Sequence, residues 1–206
     1  MKRSAPSIKA PEATRQKILN AAFLEFYRHG FQGGSLNHIV EEAGTTKGAL
    51  FHHFPSGKQQ LGYAVVDEII GPILRQRWLD PLTNSADPIS DVKRAFRQFV
   101  QEDIATGHFV QGCPLNNLAQ EMSPLDEGFH ARIDALYNTW RKVYTDVFAA
   151  GIKAGTVRKD VVPGDVAALV VASQMGIWGT GKSSRNKELM TQAGEAVCAY
   201  LDSLKP

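Results

Sequence analysis

The chain has 206 residues, 43% of them hydrophobic, which is enough for one or two domains with a real core. Its formal net charge of +2 is unevenly placed: residues 1–60 hold eight Lys or Arg against four Asp or Glu, and the remainder hold fifteen against seventeen. No stretch approaches the roughly 18 uninterrupted apolar residues of a membrane span, residues 1–11 lack the apolar centre of a signal peptide, and two distant cysteines make no disulfide scaffold, so a cytoplasmic protein is expected.

From Thr14 to His29, Ile18, Ala22 and Phe26 fall on one helical line with Leu19, Phe23 and Tyr27 beside it, and Gly30 closes the element. Ser35 is a natural N-cap for a second helix, whose stripe Leu36, Ile39, Val40 and Ala43 lies opposite Asn37, His38, Glu41 and Glu42. Gly44 suits the position after its end. Thr45 or Thr46 can then cap a third helix with Ala49, Leu50 and Phe54 facing inward, and Pro55 stops it. A helix this short cannot persist alone in water, so its neighbours must brace it. Its outward residues Lys47, Gly48, Phe51, His52 and His53 thereby become a rigidly held polar and aromatic edge.

Two helices around a three-residue turn form a helix-turn-helix, a shape that also occurs outside DNA binding. The edge nevertheless suits a major groove, which admits one helix. Lys47 can donate to guanine O6 or N7, and Gly48 lets the backbone approach closely. Ser56 and Gly57 lead to Lys58 and the stripe Leu61, Ala64, Val65 and Ile69, which places Lys58 at a helix N-terminus where backbone donors and an ammonium can hold a phosphate together.

The run Thr14 to Leu61 resembles the DNA-binding domain of the TetR-type transcriptional regulators. The likeness rests on Gly30-Phe31, the Ser35 to Gly44 helix, Thr46-Lys47-Gly48-Ala49-Leu50, His53-Phe54-Pro55, Ser56 and Lys58-x-x-Leu61. It implies phosphate contacts at Ser35, Thr46, His53 and Lys58, and base-proximal positions at Asn37, Lys47 and Gly48. Two positions depart from the family pattern. Phe51 stands where a tyrosine is usual, so it lacks a phosphate-binding hydroxyl and offers apolar contact, as to a thymine methyl; Val40 replaces the usual alanine, a change of packing. The basic bias of residues 1–60 agrees with phosphate binding, whose affinity falls by roughly 0.9 log units per contact per log unit of salt. Met1 to Pro11 reads as a flexible arm able to brush the DNA backbone.

Beyond residue 70 the pattern remains helical. Gly71-Pro72 is expected to kink the fourth helix, and Pro81 to Pro88 forms a polar linker. A helix from Ile89 to about Ala105 follows, with Phe96 and Phe99 on its inner side. Pro114 then fits a first helical position before the stripe Leu115, Leu118, Ala119 and Met122. This places Cys113 at an N-cap, where the helix dipole lowers a thiol pKa; Cys113 reads equally as a small buried hydrophobe. Cys198 reads as packing. The Gly112-Cys113 stretch also resembles a branch of the family containing regulators of electrophile and small-acid detoxification, which implies a reactive-species sensor.

A long helix, Leu125 to about Ala154, carries Phe129, Ile133, Leu136, Tyr137, Trp140, Tyr144, Val147 and Phe148, an arc wide enough to need cover from two sides. From Gly164 to about Trp178 hardly any polar face remains, which predicts burial all round. The last helix, Asn186 to Leu204, has Leu189, Met190, Ala193, Val197, Tyr200, Leu201 and Leu204 on one side. Burial within one chain and a four-helix bundle with a symmetry mate both account for these two helices, and the family resemblance implies the bundle.

Trp78, Phe96, Phe99, Cys113, Asn116, Asn117, Tyr137, Trp140 and Trp178 combine aromatic walls with amides in the manner of an effector pocket, although each singly suits a core. An enzyme is not expected. His108 and His130 lack metal-ligand spacing to Cys113, no glycine-rich phosphate loop or serine nucleophile motif occurs, and Asp126 and Glu127 read as the acidic first turn of a helix.

The expectation is an all-α chain with a three-helix DNA-binding domain over residues 1–60 and an effector and dimerisation domain over residues 61–206. It needs no cofactor or metal, and its partners are a double-stranded DNA operator, a second copy of itself and a small-molecule or electrophile effector. The competing expectation is a DNA binder of the same fold with a structural or partner-binding role and no effector.

Overall fold

The computed structural model describes residues 10–206, and every regular element among them is helical. The chain divides into two compact units, residues 1–70 and Gly71–Pro206.

The first unit contains α1 (Ala10–Gly33), α2 (Leu36–Glu42), α3 (Lys47–His53), α4 (Lys58–Val65) and a π-helical turn, Val66–Ile70. Helix α1 is interrupted at Gly30, which has φ 76. It begins early enough to include Ala10 and Pro11 of the expected arm, while residues 1–9 of that arm lie outside the described residues. Ile18, Leu19, Ala22 and Phe26 from α1 meet Ile39, Leu50, Phe54, Leu61 and Val65 in one buried core. The π turn inserts an extra residue per winding and shifts the inward stripe, so Val66 and Ile70 are buried and the expected Ile69 is only half-buried.

This unit reaches ten residues past the expected 60/61 boundary. Arg15 on α1 grips Glu68 in the π turn through two hydrogen bonds of 2.6 Å, and its guanidinium lies 5.2 Å over the Phe54 ring. The Arg15 hydrogen bonds hold the Glu68 carboxyl below its usual pKa. A depressed carboxylate contributes stability above its ordinary pKa and loses it as pH falls through the folded value. The pair is partly exposed, so Glu68→Gln is expected to cost less than about 1 kcal/mol at pH 7. Urea melts should show that difference shrinking as pH falls below the ordinary carboxylate pKa; a cost that is undiminished in acid would exclude the ion pair as its source.

The second unit begins with α5 (Gly71–Leu74), a second π turn (Arg75–Leu79) and a 3₁₀ turn (Asp80–Leu82). The expected point kink at Gly71-Pro72 is therefore a wider winding on both sides of a short α segment. Pro72 has no N–H to donate to an α-helical ladder. Then come α6 (Pro88–Thr106), a 3₁₀ turn (His108–Gln111), α7 (Pro114–Met122), α8 (Glu127–Ala154), α9 (Pro163–Ser184) and α10 (Lys187–Asp202). Side-chain caps set three of these starts: Asp87 accepts from Ser90 N at 3.1 Å, Asp126 from Phe129 N at 2.9 Å and Asn186 from Leu189 N at 2.9 Å.

Helix α8 is covered by α6, α7 and α9, and buries Phe129, Ile133, Trp140, Tyr144 and Phe148. Helix α9 runs six residues beyond the expected end near Trp178, and Gly181 lets that extension lie close to Met190: a Cβ there would lie 3.0 Å from the Met190 sulfur.

Candidate nucleic-acid interface and effector cluster

The turn between α2 and α3 closes by backbone bonds from Gly44 N to Glu41 O and Thr45 N to Val40 O, each 3.0 Å. Thr46, rather than Thr45, caps α3, its Oγ1 accepting from Ala49 N at 3.1 Å. Ser35 Oγ accepts from His38 N at 3.5 Å, and Ser35 N donates to Glu25 Oε1 at 2.8 Å. Both hydroxyl oxygens act as caps, which leaves their O–H hydrogens available to an outside acceptor. Glu25 was missed by sequence reasoning because it sits ten residues before the group it orients.

Leu50 and Phe54 pin α3 to the core, whereas Lys47, Gly48, Phe51 and His52 share one exposed helical face; Asn37 is exposed on α2 and His53 is half-buried. Phe51 is 47% exposed and is the one large hydrophobic so exposed among the described residues of this unit. Its ring leans over the turn into α4, where a Cβ on Gly57 would lie 3.3 Å from it. Lys58 is also engaged within the unit. Its Nζ donates to Gln32 O at 2.9 Å and sits 5.1 Å over the Phe31 ring, so part of its binding capacity anchors α4 to α1.

In the second unit the aromatic candidates converge. Trp78 has ring centroids 5.6 Å from Phe96, 4.8 Å from Phe99, 6.0 Å from Trp140 and 5.4 Å from Trp178, and Tyr137 stacks on Trp140 at 6.4 Å. Joined to them through Trp178 is Asp103, unexpected from sequence. It is buried, with one oxygen 3.1 Å from Arg77 Nη2 and the other 2.5 Å from Trp178 Nε1. Arg77 also stacks over Phe99 at 4.4 Å. The Tyr137 hydroxyl and Gln174 Oε1 are buried without a hydrogen-bond partner, although Gln174 Nε2 donates to Tyr144 OH at 3.2 Å.

Two of the candidates are further defined by their surroundings. Cys113 occupies the N-cap of α7, but burial pushes its thiol pKa up and outweighs the lowering by the Asn116 and Leu115 backbone donors. The dipole argument was local; desolvation, which no short motif reveals, is the larger influence. Asn117 donates through Nδ2 to Gln111 O at 2.8 Å and so fixes the turn before α7. Gly112 within that turn has φ 78, and a Cβ there would meet the Lys182 side chain at 3.0 Å and Asn117 Oδ1 at 3.2 Å. Cys198 is buried in α10.

Helix α9 is not buried all round within this chain. Val166, Ala167, Val170, Val171 and Ile177 face the core, whereas Ala168, Leu169 and Ala172 are exposed, with Leu169 at 48% and Leu189 of α10 at 39%.

A braced seven-residue helix with an open Lys-Gly-Phe-His face, ahead of a larger helical unit, is the build of a helix-turn-helix transcriptional regulator. Residues 18–65 match the family model described as "Bacterial regulatory proteins, tetR family", and residues 89–197 match "Tetracyclin repressor-like, C-terminal domain". The chain belongs to the TetR family of DNA-binding transcriptional regulators, which are not enzymes.

It is 33% identical over 133 residues to the "HTH-type transcriptional regulator LmrA" of Bacillus subtilis, covering 65% of this chain and 70% of that protein. It is 25% identical over 178 residues to the "HTH-type transcriptional repressor DhaR" of a Mycobacterium species, covering 86% of this chain and 87% of that protein. Among solved structures, a TetR transcriptional regulator from Chloroflexus aurantiacus shares the fold with a TM-score of 0.83 at 21% identity, over 96% of this chain and 98% of the other. Among the described residues no helix is long and apolar enough to cross a membrane.

Proposed function

We propose that the protein is a cytoplasmic repressor that binds a palindromic operator as a homodimer and leaves it when a small molecule occupies the second unit. The observation carrying this reading is the exposed Lys47, Gly48, Phe51 and His52 face on a helix held rigid by Leu50 and Phe54. Lys47 and Gly48, with Asn37 beside them, approach the base edges, and the Phe51 ring offers an apolar surface to a thymine methyl. Ser35, Thr46, His53 and Lys58 hold phosphates and set the register.

The exposed apolar stripe of α9 and Leu189 of α10 supplies the surface for a symmetry mate. Two-fold symmetry then sets the recognition helices roughly 34–36 Å apart. Effector binding acts through the loosely wound Val66–Leu79 segment and changes that spacing. To shift occupancy from 1:99 to 99:1 the effector must prefer the released state by about 5.5 kcal/mol. Burial pushes the Cys113 thiol pKa up and so disfavours the reactive thiolate, which favours a reversibly bound effector over an electrophile.

Selection from a pool of random duplexes should recover inverted repeats with half-sites one helical turn apart. Leu169→Glu should sediment as a monomer and bind the selected duplex about 100-fold or more weakly, because a linked second contact is lost. A selected set without inverted repeats, or a monomeric parent at micromolar concentration, would remove the operator reading and leave a structural DNA binder.

A further inference from the structure

Glu25 has more neighbours than the Ser35 backbone that it holds. Its side chain is only 12% exposed, at a hollow between α1 and α2. Oε1 accepts from Ser35 N at 2.8 Å and lies 3.5 Å from His38 Nδ1, and Oε2 lies 3.9 Å from His29 Nε2. One carboxylate thus joins α1 to the start of α2 and faces two imidazoles, each more than half exposed and open to protons from solvent.

The charges around it balance only when those imidazoles are protonated. Arg28 on α1 and Glu41 and Glu42 on α2 line the same hollow, so three carboxylates stand against one guanidinium. With both histidines neutral the group carries −2, and with both protonated it carries 0. Helices α3 and α4 also pack on α1 but bring no charge to the hollow: Lys47, His52 and His53 do not line it, and Lys58 donates to Gln32 O at 2.9 Å.

The phosphate assigned to Ser35 comes close to this group. With ordinary hydrogen-bond lengths on either side of Ser35, a phosphate oxygen on its hydroxyl lies within roughly 9 Å of the Glu25 carboxylate. That is inside the Debye length of about 10 Å at 0.1 M salt, so the two negative charges repel with little screening. Protonating the flanking imidazoles offsets this repulsion and leaves the Ser35 bond in place.

Taking the operator-binding reading above as its basis, we propose that Glu25 is a positioning residue for operator binding, which seats Ser35 and, through His29 and His38, makes binding take up protons. Affinity is highest where the two histidines are charged. It falls as pH rises through their range, because the complex retains protons that the free protein releases.

Fluorescence anisotropy of the full-length protein with the selected duplex, at pH 6 and pH 8, tests this. Glu25→Gln keeps an oxygen for Ser35 N and drops the charge, so its affinity relative to the parent is expected to rise about three-fold or more from pH 6 to pH 8. Glu25→Leu keeps the bulk and removes the acceptor, and is expected to bind about ten-fold or more weakly than Glu25→Gln at both pH values. The double variant His29→Gln, His38→Gln is expected to match the parent at pH 8 and to fall behind it by about three-fold or more at pH 6. His52 and His53 titrate in all of these proteins, so the ratios between proteins are the readout.

A merely structural Glu25 would change affinity by a factor independent of pH. A ratio of Glu25→Gln to parent that is the same at both pH values, or a double histidine variant with the full pH dependence of the parent, overturns the proton linkage. Glu25→Leu binding as tightly as Glu25→Gln overturns the positioning role. A parent that selects no duplex overturns the operator reading itself; parallel pH profiles on a tightly bound duplex overturn the linkage alone.

Discussion

Gly48→Leu is expected to fold at least as well as the parent and to lose most of its DNA affinity. The position lies on the outer face of α3, and a Cβ added there would have only Thr46 Oγ1 near it, at 3.8 Å. Glycine inside a helix costs about 1 kcal/mol relative to alanine, so leucine should raise stability by several tenths of a kcal/mol or more. In the groove the same side chain holds the backbone off the base edges and lifts Lys47 and Phe51 with it. Losing one good base contact corresponds to about 1–3 kcal/mol, or about 5- to 150-fold in affinity. Urea denaturation and fluorescence anisotropy with the selected duplex measure the two effects independently. Unchanged affinity would mean that α3 is not the element that enters the groove.

Phe54→Ala is expected to have the largest effect on stability. The side chain is 1% exposed and lies beneath the Arg15 guanidinium, on the residue whose backbone N–H closes the end of α3 by donating to Leu50 O. Deleting a buried phenylalanine costs about 3–5 kcal/mol, a large share of the 5–15 kcal/mol by which a typical domain is stable. A seven-residue helix has no independent stability, so operator binding should be lost together with hydrogen-exchange protection of Ile18, Leu50 and Leu61. Operator affinity within two-fold of the parent would contradict the bracing argument.

The N-terminal unit was legible because its signals are local. Ser35 and Thr46 sit beside the helices they cap, and the inward positions of α2 and α3 repeat at helical spacing. The family resemblance added roles to surface residues that periodicity alone leaves anonymous. Contacts between residues far apart along the chain were not legible. Lys58 docks on Phe31 and Gln32 from 26 residues or more away, and Arg15 extends the unit by gripping Glu68 at a separation of 53.

The aromatic cluster of the second unit shows the same division. Its aromatic members were visible as bulky residues on helical stripes, but Asp103 looked like any acid on α6 until the fold brought Arg77 and Trp178 to it. For Cys113 the neighbouring backbone predicted one direction of pKa shift and the surrounding burial imposed the other. Helix α9 is apolar on every side in sequence, and only the packed chain distinguishes the face covered by its own core from the face left open.

All three tryptophans, Trp78, Trp140 and Trp178, lie within the second unit and stack around one point, whereas the DNA-reading unit contains none. Indole emission is therefore blind to the reader: a protein whose N-terminal helices had melted would still report an intact spectrum. A thermal shift followed by that emission alone describes the second unit, and the health of the reader has to be judged by circular dichroism or by DNA binding itself.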